Sequence, residues 1–307
     1  MSPREVFALR DHLGPDLKGR TISDARRVVS LTNILGETCL ADRLRELSRR
    51  SVLLAVQDQL ISAIAMTELD GVARRMLLCP PDLNPDHVQT LIEDADIDAI
   101  VTDQPLRWAK AGVYLVLGAM PPARAAAKAK NERPTEWLML TSGTSGTPKI
   151  VSHSLKGLTA TIAADGPAQD APPVWATLDD IRCYGGLQTL LRAVLEGGSM
   201  VLTEPGEPIA DYVARLRANG VTHISGTPSH WRELLTSGSA SGFSPRYVSL
   251  SGEIANQAVL DALSRAFPAA SIGHADASTE AGVGFAMNNG LEGLPGSVLT
   301  VDAGSTA

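Results

Sequence analysis

The sequence predicts an α/β protein of two packed subdomains, each built on a mostly parallel sheet flanked by helices. Three observations carry that expectation. Short apolar runs recur along the chain, among them Ser51–Val56 (SVLLAV) and Glu136–Leu140 (EWLML), and runs of this length suit strands covered on both faces. Helical patterns alternate with them, which is the rhythm of parallel strands joined by crossover helices. The chain has 307 residues, 44% hydrophobic and 20% charged, so a sizeable core is available. The expected division is 1–160, ending with a loop described below, and 161–307.

Each element follows in order. Ala41–Arg50 is charged and helix-compatible, Ser51–Val56 is the first buried strand, and Gln59–Leu69 shows an apolar helical face through Leu60, Ile61, Ile64 and Met66. Arg75–Cys79 is a second strand. Asn84 before Pro85 is a cap with proline at the first helical position, opening a helix through Val88, Leu91 and Ile92. Ile97–Thr102 and Val113–Leu117 are further strands, and Pro121–Pro134 is a surface helix or linker. After the strand Glu136–Leu140 come a helix at His153–Ala164 and a surface loop at Asp165–Pro173. The second series has strands at Val174–Leu178, Met200–Leu202, Val221–Ser225, Tyr247–Leu250 and near Ser271. Its helices are Gly186–Leu195, Ile209–Arg217, one opened by Pro228, and Gln257–Phe267.

Bulk properties exclude some classes. With 27 basic and 34 acidic residues the net charge is −7, which gives no electrostatic reason to expect nucleic acid or an anionic membrane as partner. Cys39, Cys79 and Cys183 are too far apart for a metal motif and odd in number, so they read as reduced thiols of a cytoplasmic protein. No apolar run approaches the roughly 20 residues that span a bilayer.

The most informative stretch is Thr141–Lys149, TSGTSGTPK, placed directly after a buried strand. Gly143 and Gly146 let the main chain approach a ligand closely. Thr141, Ser142, Thr144, Ser145 and Thr147 add hydroxyls, and Lys149 adds a positive charge. Successive N–H groups in such a loop make a concave site for phosphate oxygens. The plainer alternative is a Ser/Gly connector. A Walker A loop requires a different spacing, because here Lys149 comes three residues after Gly146 with Pro148 directly before it. TSGTSGTPK instead resembles the phosphate loop of the adenylate-forming superfamily, which includes acyl-CoA synthetases, adenylation domains of peptide synthetases and luciferases. The similarity extends over about Ala41–Gly304.

A second constellation begins with Ser251-Gly252-Glu253 after a strand, followed by HADASTEAG at His274–Gly282. Open parallel sheets place ligands at such strand ends. Thr279 offers a hydroxyl to a phosphate, and Glu280 offers a hard oxygen to Mg²⁺; a solvated turn with an incidental acid is the alternative. The resemblance implies that Thr279 contacts the α-phosphate, that Glu280 holds the metal, and that Lys149, Thr279 and Glu280 serve catalysis. It likewise places Gly252, Glu253, Asp276, Ala277 and Ser278 at the nucleotide. Where the family stacks a tyrosine on adenine, Asp276 and Ala277 stand here, so adenine recognition is expected to differ. The family's acyl-pocket His-x-x-Gly is replaced by Arg182-Cys183-Tyr184-Gly185. Arg182, Tyr184 and Gly185 are therefore expected at the acyl substrate, with Arg182 either binding an acidic group there or paired with Asp179 or Asp180. His153 reads as a packing histidine.

The family's small β-barrel, its ribose-binding aspartate and its mobile C-terminal domain with a catalytic lysine find no match, and this stretch is expected to act poorly without them. The resemblance implies a ligase that forms an acyl-adenylate from a small carboxylic acid and ATP with Mg²⁺, then passes the acyl group to a thiol of CoA or of a carrier protein. The rival expectation is a non-catalytic nucleotide-binding or interaction module of the same descent. Neither the acid nor the oligomeric state is encoded legibly.

Overall fold

The computed structural model describes residues 8–13, 17–109, 111–117, 123–124, 133–141, 148–162, 171–280, 282–287 and 290–293. Two mixed sheets dominate it. The first has six strands in the spatial order Ile150–Ser154, Glu136–Leu140, Arg75–Leu78, Ser51–Ala55, Ala99–Thr102, Tyr114–Leu117. Only its edge strand Ile150–Ser154 runs antiparallel to its neighbour. The second has eight strands in the order Gly282–Met287, Ser271–Ser278, Tyr247–Leu250, His223–Gly226, Val174–Thr177, Ser199–Val201, Thr21–Ser23, Val28–Ser30. Its six inner strands are parallel and both edges antiparallel. The strands Thr21–Ser23 and Val28–Ser30 thus lie in the second sheet, and a division at residue 160 does not anticipate that crossing.

One helix sits at the centre. Every residue of Gln59–Leu69 is buried, as expected for a helix that is apolar nearly all round, and Asp58 starts it by accepting from the Ile61 N–H at 3.0 Å. Its Leu60, Ile64 and Met66 belong to the same core cluster as Leu187, Leu190 and Met200 from the second half of the chain. Gln59 joins the halves with polar bonds: its amide donates to Thr203 Oγ1 at 2.6 Å and accepts from the Ile181 N–H at 3.0 Å.

Three expected elements differ. The helix expected at His153–Ala164 is a strand through Ser154 and then a short helix Leu155–Thr159, capped by Ser154. Ile150 and Val151 are β-branched and pair back on Leu140 and Met139, so the sheet ladder wins over helix propensity. The strand near Ser271 runs on to Ser278, because the returning strand Gly282–Met287 supplies a partner for its polar end. Within Pro121–Pro134, Ala123–Arg124 pairs with Glu37–Thr38, and residues 125–132 lie outside the described part. No described helix is long and apolar enough to cross a membrane.

Two buried acids carry a pH prediction. Burial pushes Glu68 up to about 7, against hydrogen bonds from the Cys39 N–H and Thr38 hydroxyl. Burial likewise pushes Asp70 up to about 7, against the Leu9 N–H at 2.6 Å and the Trp137 indole at 2.9 Å. Between about pH 4, where such carboxyls titrate in an unfolded chain, and about pH 7, the folded state holds protons the unfolded state has lost, so stability falls as pH rises. Asp96 acts oppositely: Arg74 holds its carboxyl low, and that contribution disappears only in stronger acid. Burial lowers His223 to about 4, so it opposes the two acids over part of this range. Urea unfolding is therefore expected to show a higher midpoint at pH 5 than at pH 8, with an unfolding free energy larger by about 3 kcal/mol, and Glu68→Gln with Asp70→Asn is expected to remove that advantage. Equal midpoints in the wild type would refute this.

Candidate active site

Strand ends build the site. Parallel sheets leave a crevice beyond the carboxyl ends of their strands, and both sheets contribute those ends to one cleft of about 700 Å³. From the first sheet come Pro80, Asp82 and Asn84 after the strand Arg75–Leu78, and Thr141 after Glu136–Leu140. The second contributes Asp179 after Val174–Thr177, Thr227 after His223–Gly226, Ser251 and Gly252 after Tyr247–Leu250, and Ala277 to Glu280 at the end of Ser271–Ser278.

The hairpin carrying the Ser/Thr/Gly loop is closed at its base. Thr141 N–H donates to the Lys149 carbonyl at 3.0 Å, and Lys149 N–H donates to the Thr141 hydroxyl at 3.3 Å. Thr141 and Pro148 line the same cleft as Thr279 and Glu280, so the base of the loop and the second constellation share one cavity. Lys149 is exposed and outside the lining residues. Ser142, Gly143, Thr144, Ser145, Gly146 and Thr147 lie outside the described residues.

His153, on the edge strand of the first sheet, packs its ring 5.9 Å from that of Tyr184. Burial lowers its pKa, which keeps the imidazole neutral at pH 7, and its Nε2 has no partner among the described residues. The expected packing histidine thus packs the edge strand against the helix Tyr184–Leu195.

Gly252 adopts φ +82° at the cleft wall, a conformation that favours glycine. Its neighbour Glu253 is not on the wall. That carboxylate accepts from the Ser229 N–H at 3.1 Å and hydroxyl at 2.7 Å, at the N-terminus of the helix Pro228–Thr236, where a negative charge is favourable. Its expected role at a nucleotide is corrected to a role at that helix.

Asp276 also departs from expectation. Side chains alternate along a strand, so Ala275 and Ala277 turn inward while Asp276 is exposed and absent from the cleft wall. The pairing shifts between Asp276 and Ala277, and a bulge of this kind re-aims the residues after it. Asp276 thus lies off the lining of the cleft.

Arg182 requires the third correction. Its side chain is fully buried, with Nε 2.7 Å and Nη2 2.6 Å from the two Asp180 oxygens and Nη1 2.6 Å from the Val56 carbonyl. A guanidinium already forked onto a carboxylate has no free face for a second one. Arg182 is the structural half of the two readings, and its acyl-binding role is withdrawn. Arg182 borders the cleft along with Tyr184 and Gly185, but its guanidinium has no exposed surface and is turned to Asp180. Gly186 lets the helix Tyr184–Leu195 dock there, since a Cβ at this position would stand 2.2 Å from the Asp180 carbonyl oxygen.

The cleft wall also contains residues to which sequence reading gave no role at a ligand. Asp179 sits 3.3 Å from His230 Nδ1, and this contact raises the histidine's pKa. Asp82, Thr227 and Ser251 add to the polar lining. Their one sequence signal is position, within a few residues of a strand end.

Among the described residues no three acids, histidines or cysteines converge as a metal cage. Glu280 with the Thr279 hydroxyl at the cleft wall fits Mg²⁺ in the manner of one protein carboxylate shared with substrate phosphates and water. All three cysteines are free, with Cys39 and Cys79 buried.

Two mostly parallel sheets whose strand ends line one cleft, with Thr141 and Pro148 at the base of the hairpin among its residues, match the N-terminal architecture of adenylate-forming enzymes. The family model described as AMP-binding enzyme matches residues 75–303, and the chain belongs to that family. Similar solved structures include the Klebsiella oxytoca NpsA N-terminal subdomain, with a TM-score of 0.75 and 15% identity over 94% of this chain and 78% of that one. That subdomain has also been solved in complex with 3-hydroxybenzoyl-AMSN. VinN with L-aspartate gives 0.72 at 18% identity, covering 91% and 77%. o-Succinylbenzoate CoA synthetase (MenE) from Bacillus subtilis with its acyl-adenylate intermediate gives 0.70 at 16%, covering 88% of this chain and 58% of that one. A search of curated protein sequences finds no match.

Proposed function

We propose that this chain binds ATP and a small carboxylic acid and takes part in acyl-adenylate formation. A carboxylate oxygen attacks the α-phosphorus, the bond to the bridging oxygen breaks, and pyrophosphate leaves. The sulfur of a thiol, on CoA or a carrier protein, then attacks the acyl carbon, AMP departs, and the thiol proton is released. The observation that carries this reading is the shared cavity between the base of the Thr141–Lys149 hairpin and the Thr279–Glu280 turn.

In this reading the hairpin loop cradles the outer phosphates through its N–H groups and hydroxyls, and Thr279 donates its hydroxyl to the α-phosphate. Glu280 holds Mg²⁺, which when bound neutralises phosphate charge. Tyr184 and Gly185 border the acyl group. The adenylate analogue bound to the NpsA subdomain, L-aspartate bound to VinN and the acyl-adenylate bound to MenE support a small acid as substrate.

The test is carboxylate-dependent exchange of labelled pyrophosphate into ATP, run across a panel of small acids. Acid-dependent exchange is expected. Nucleotide binding without exchange for any acid would favour the non-catalytic module, to which the outward-facing Asp276 lends support.

A further inference from the structure

One histidine nitrogen beside the cleft has two claimants. The helix Pro228–Thr236 begins at the cleft wall, where Thr227 caps it and accepts from the His230 N–H at 3.2 Å. The Thr227 N–H in turn lies 3.4 Å from His230 Nδ1 and donates to it, while Asp179 Oδ1 lies 3.3 Å from the same Nδ1. That nitrogen serves one partner at a time. Without a proton it accepts from Thr227; with a proton it donates to Asp179.

Asp179 is the partner that borders the ligand space. It lines the cleft, and its Oδ2 comes within 3.3 Å of where a Cβ on Gly185, another wall residue, would stand. Among the described residues His230 is the one side chain that pairs with this carboxylate. The described wall also carries Asp82 and Glu280, and its one fixed cation, Arg182, is committed to Asp180. An unpaired Asp179 therefore adds a further negative charge to a cleft that must receive an anion.

We propose that His230 is a positioning residue for the nucleotide: by switching Nδ1 between Thr227 and Asp179, it sets whether an anionic ligand meets a neutralised or a bare carboxylate. This rests on the acyl-activation reading above and adds its regulation by pH. Asp179 from the loop after Val174–Thr177, Glu253 from the loop after Tyr247–Leu250 and Glu233 on its own helix all favour protonated His230. The bond to Asp179 leads, and it raises the histidine above its usual 6.5 against the opposing effect of burial. The paired state is thus present at low pH and lost as pH rises through that raised value. Ligand binding and protonation of His230 favour each other.

The test is the affinity of benzoyl-sulfamoyl adenosine for the 307-residue chain at pH 6 and pH 9, without divalent metal. Its acyl-sulfamate keeps one negative charge across this range. At pH 6, His230→Gln is expected to bind about 5-fold more weakly than wild type, the scale of one unit charge acting over roughly 10 Å in a partly solvated site. At pH 9 the two are expected to bind alike. Glutamine at this position of a capping box still serves the helix end, so the cap survives the substitution. Asp179→Asn is expected to do the reverse, matching wild type at pH 6 and binding about 5-fold more tightly at pH 9. His87, the other histidine on the described wall, is common to all three chains and drops out of the comparison at each pH. A His230→Gln deficit of equal size at both pH values, or Asp179→Asn binding more weakly than wild type at pH 9, would overturn the proposal. If the analogue binds wild type at neither pH, the acyl-activation reading falls and takes this inference with it; if it binds all three chains equally at both, only this inference falls.

Discussion

Arg182→Met is expected to lower the free energy of unfolding by about 3–5 kcal/mol, the range found when one partner is removed from a buried ion pair. The magnitude follows from what is left behind. Asp180 would keep a largely buried charge whose remaining support is the Arg182 main-chain N–H at 2.9 Å. The Val56 carbonyl, on a fully buried residue at the end of the central strand Ser51–Ala55, would lose its 2.6 Å guanidinium donor. Because Val56 belongs to the first half of the chain and Arg182 to the second, the substitution also cuts a link between the two sheets. Adding Asp180→Asn removes the stranded charge and is expected to recover part of the loss, so the two effects are not additive. Thermal or urea unfolding of the two variants measures both terms. A wild-type midpoint in Arg182→Met would show that the pair contributes nothing. Preference for a dicarboxylic acid over its monoester is expected to be the same in wild type and variant, since the guanidinium is committed to Asp180.

The strands and the site differ in how far a sequence discloses them. The strands were legible because both faces are covered, leaving unbroken apolar runs such as LLA and WLM within Ser51–Ala55 and Glu136–Leu140. The cap at Asn84 was legible through the proline that follows it, and the helix start at Pro228 through that proline itself; the Thr227 cap was not read. The edge strand Ile150–Ser154 was misread because its residues are exposed or only half-buried, and its pairing with the preceding strand is a tertiary fact. Strand alternation turns Asp276 outward, and no residue type announces which side a bulge will favour. Whether Arg182 meets a substrate or its neighbour two positions earlier depends on burial, which the residues around one arginine do not reveal. The place of residues 21–30 in the second sheet likewise depends on pairing with Ser199–Val201, as in the bond from the Thr21 N–H to the Ser199 hydroxyl 178 positions away. The cleft itself was legible, because TSGTSGTPK and STE each follow a strand end and strand ends of the two sheets converge.

Glu280→Gln is expected to lower kcat/KM for acid-dependent pyrophosphate exchange by about 10²-fold or more, the scale set by losing one electrostatic contact to the reacting phosphates. Stability is expected to change by less than about 0.5 kcal/mol, as for most exposed substitutions away from a cap or network, because Glu280 is exposed and in no ion pair among the described residues. That separation distinguishes a functional acid from a structural one. The half-saturating Mg²⁺ concentration is expected to rise in Glu280→Gln and to stay unchanged in Asp276→Asn, whose side chain faces away from the cleft. Thr279→Ala is expected to be milder, about 10-fold, since it removes one neutral hydrogen bond. If exchange survives Glu280→Gln within about threefold, a loss far below that of an electrostatic contact to the phosphates, the ligase reading stands but the acidic contact belongs elsewhere on the wall. Asp82 and Asp179, the other carboxylates lining the same cleft, are then the groups whose substitution must abolish exchange.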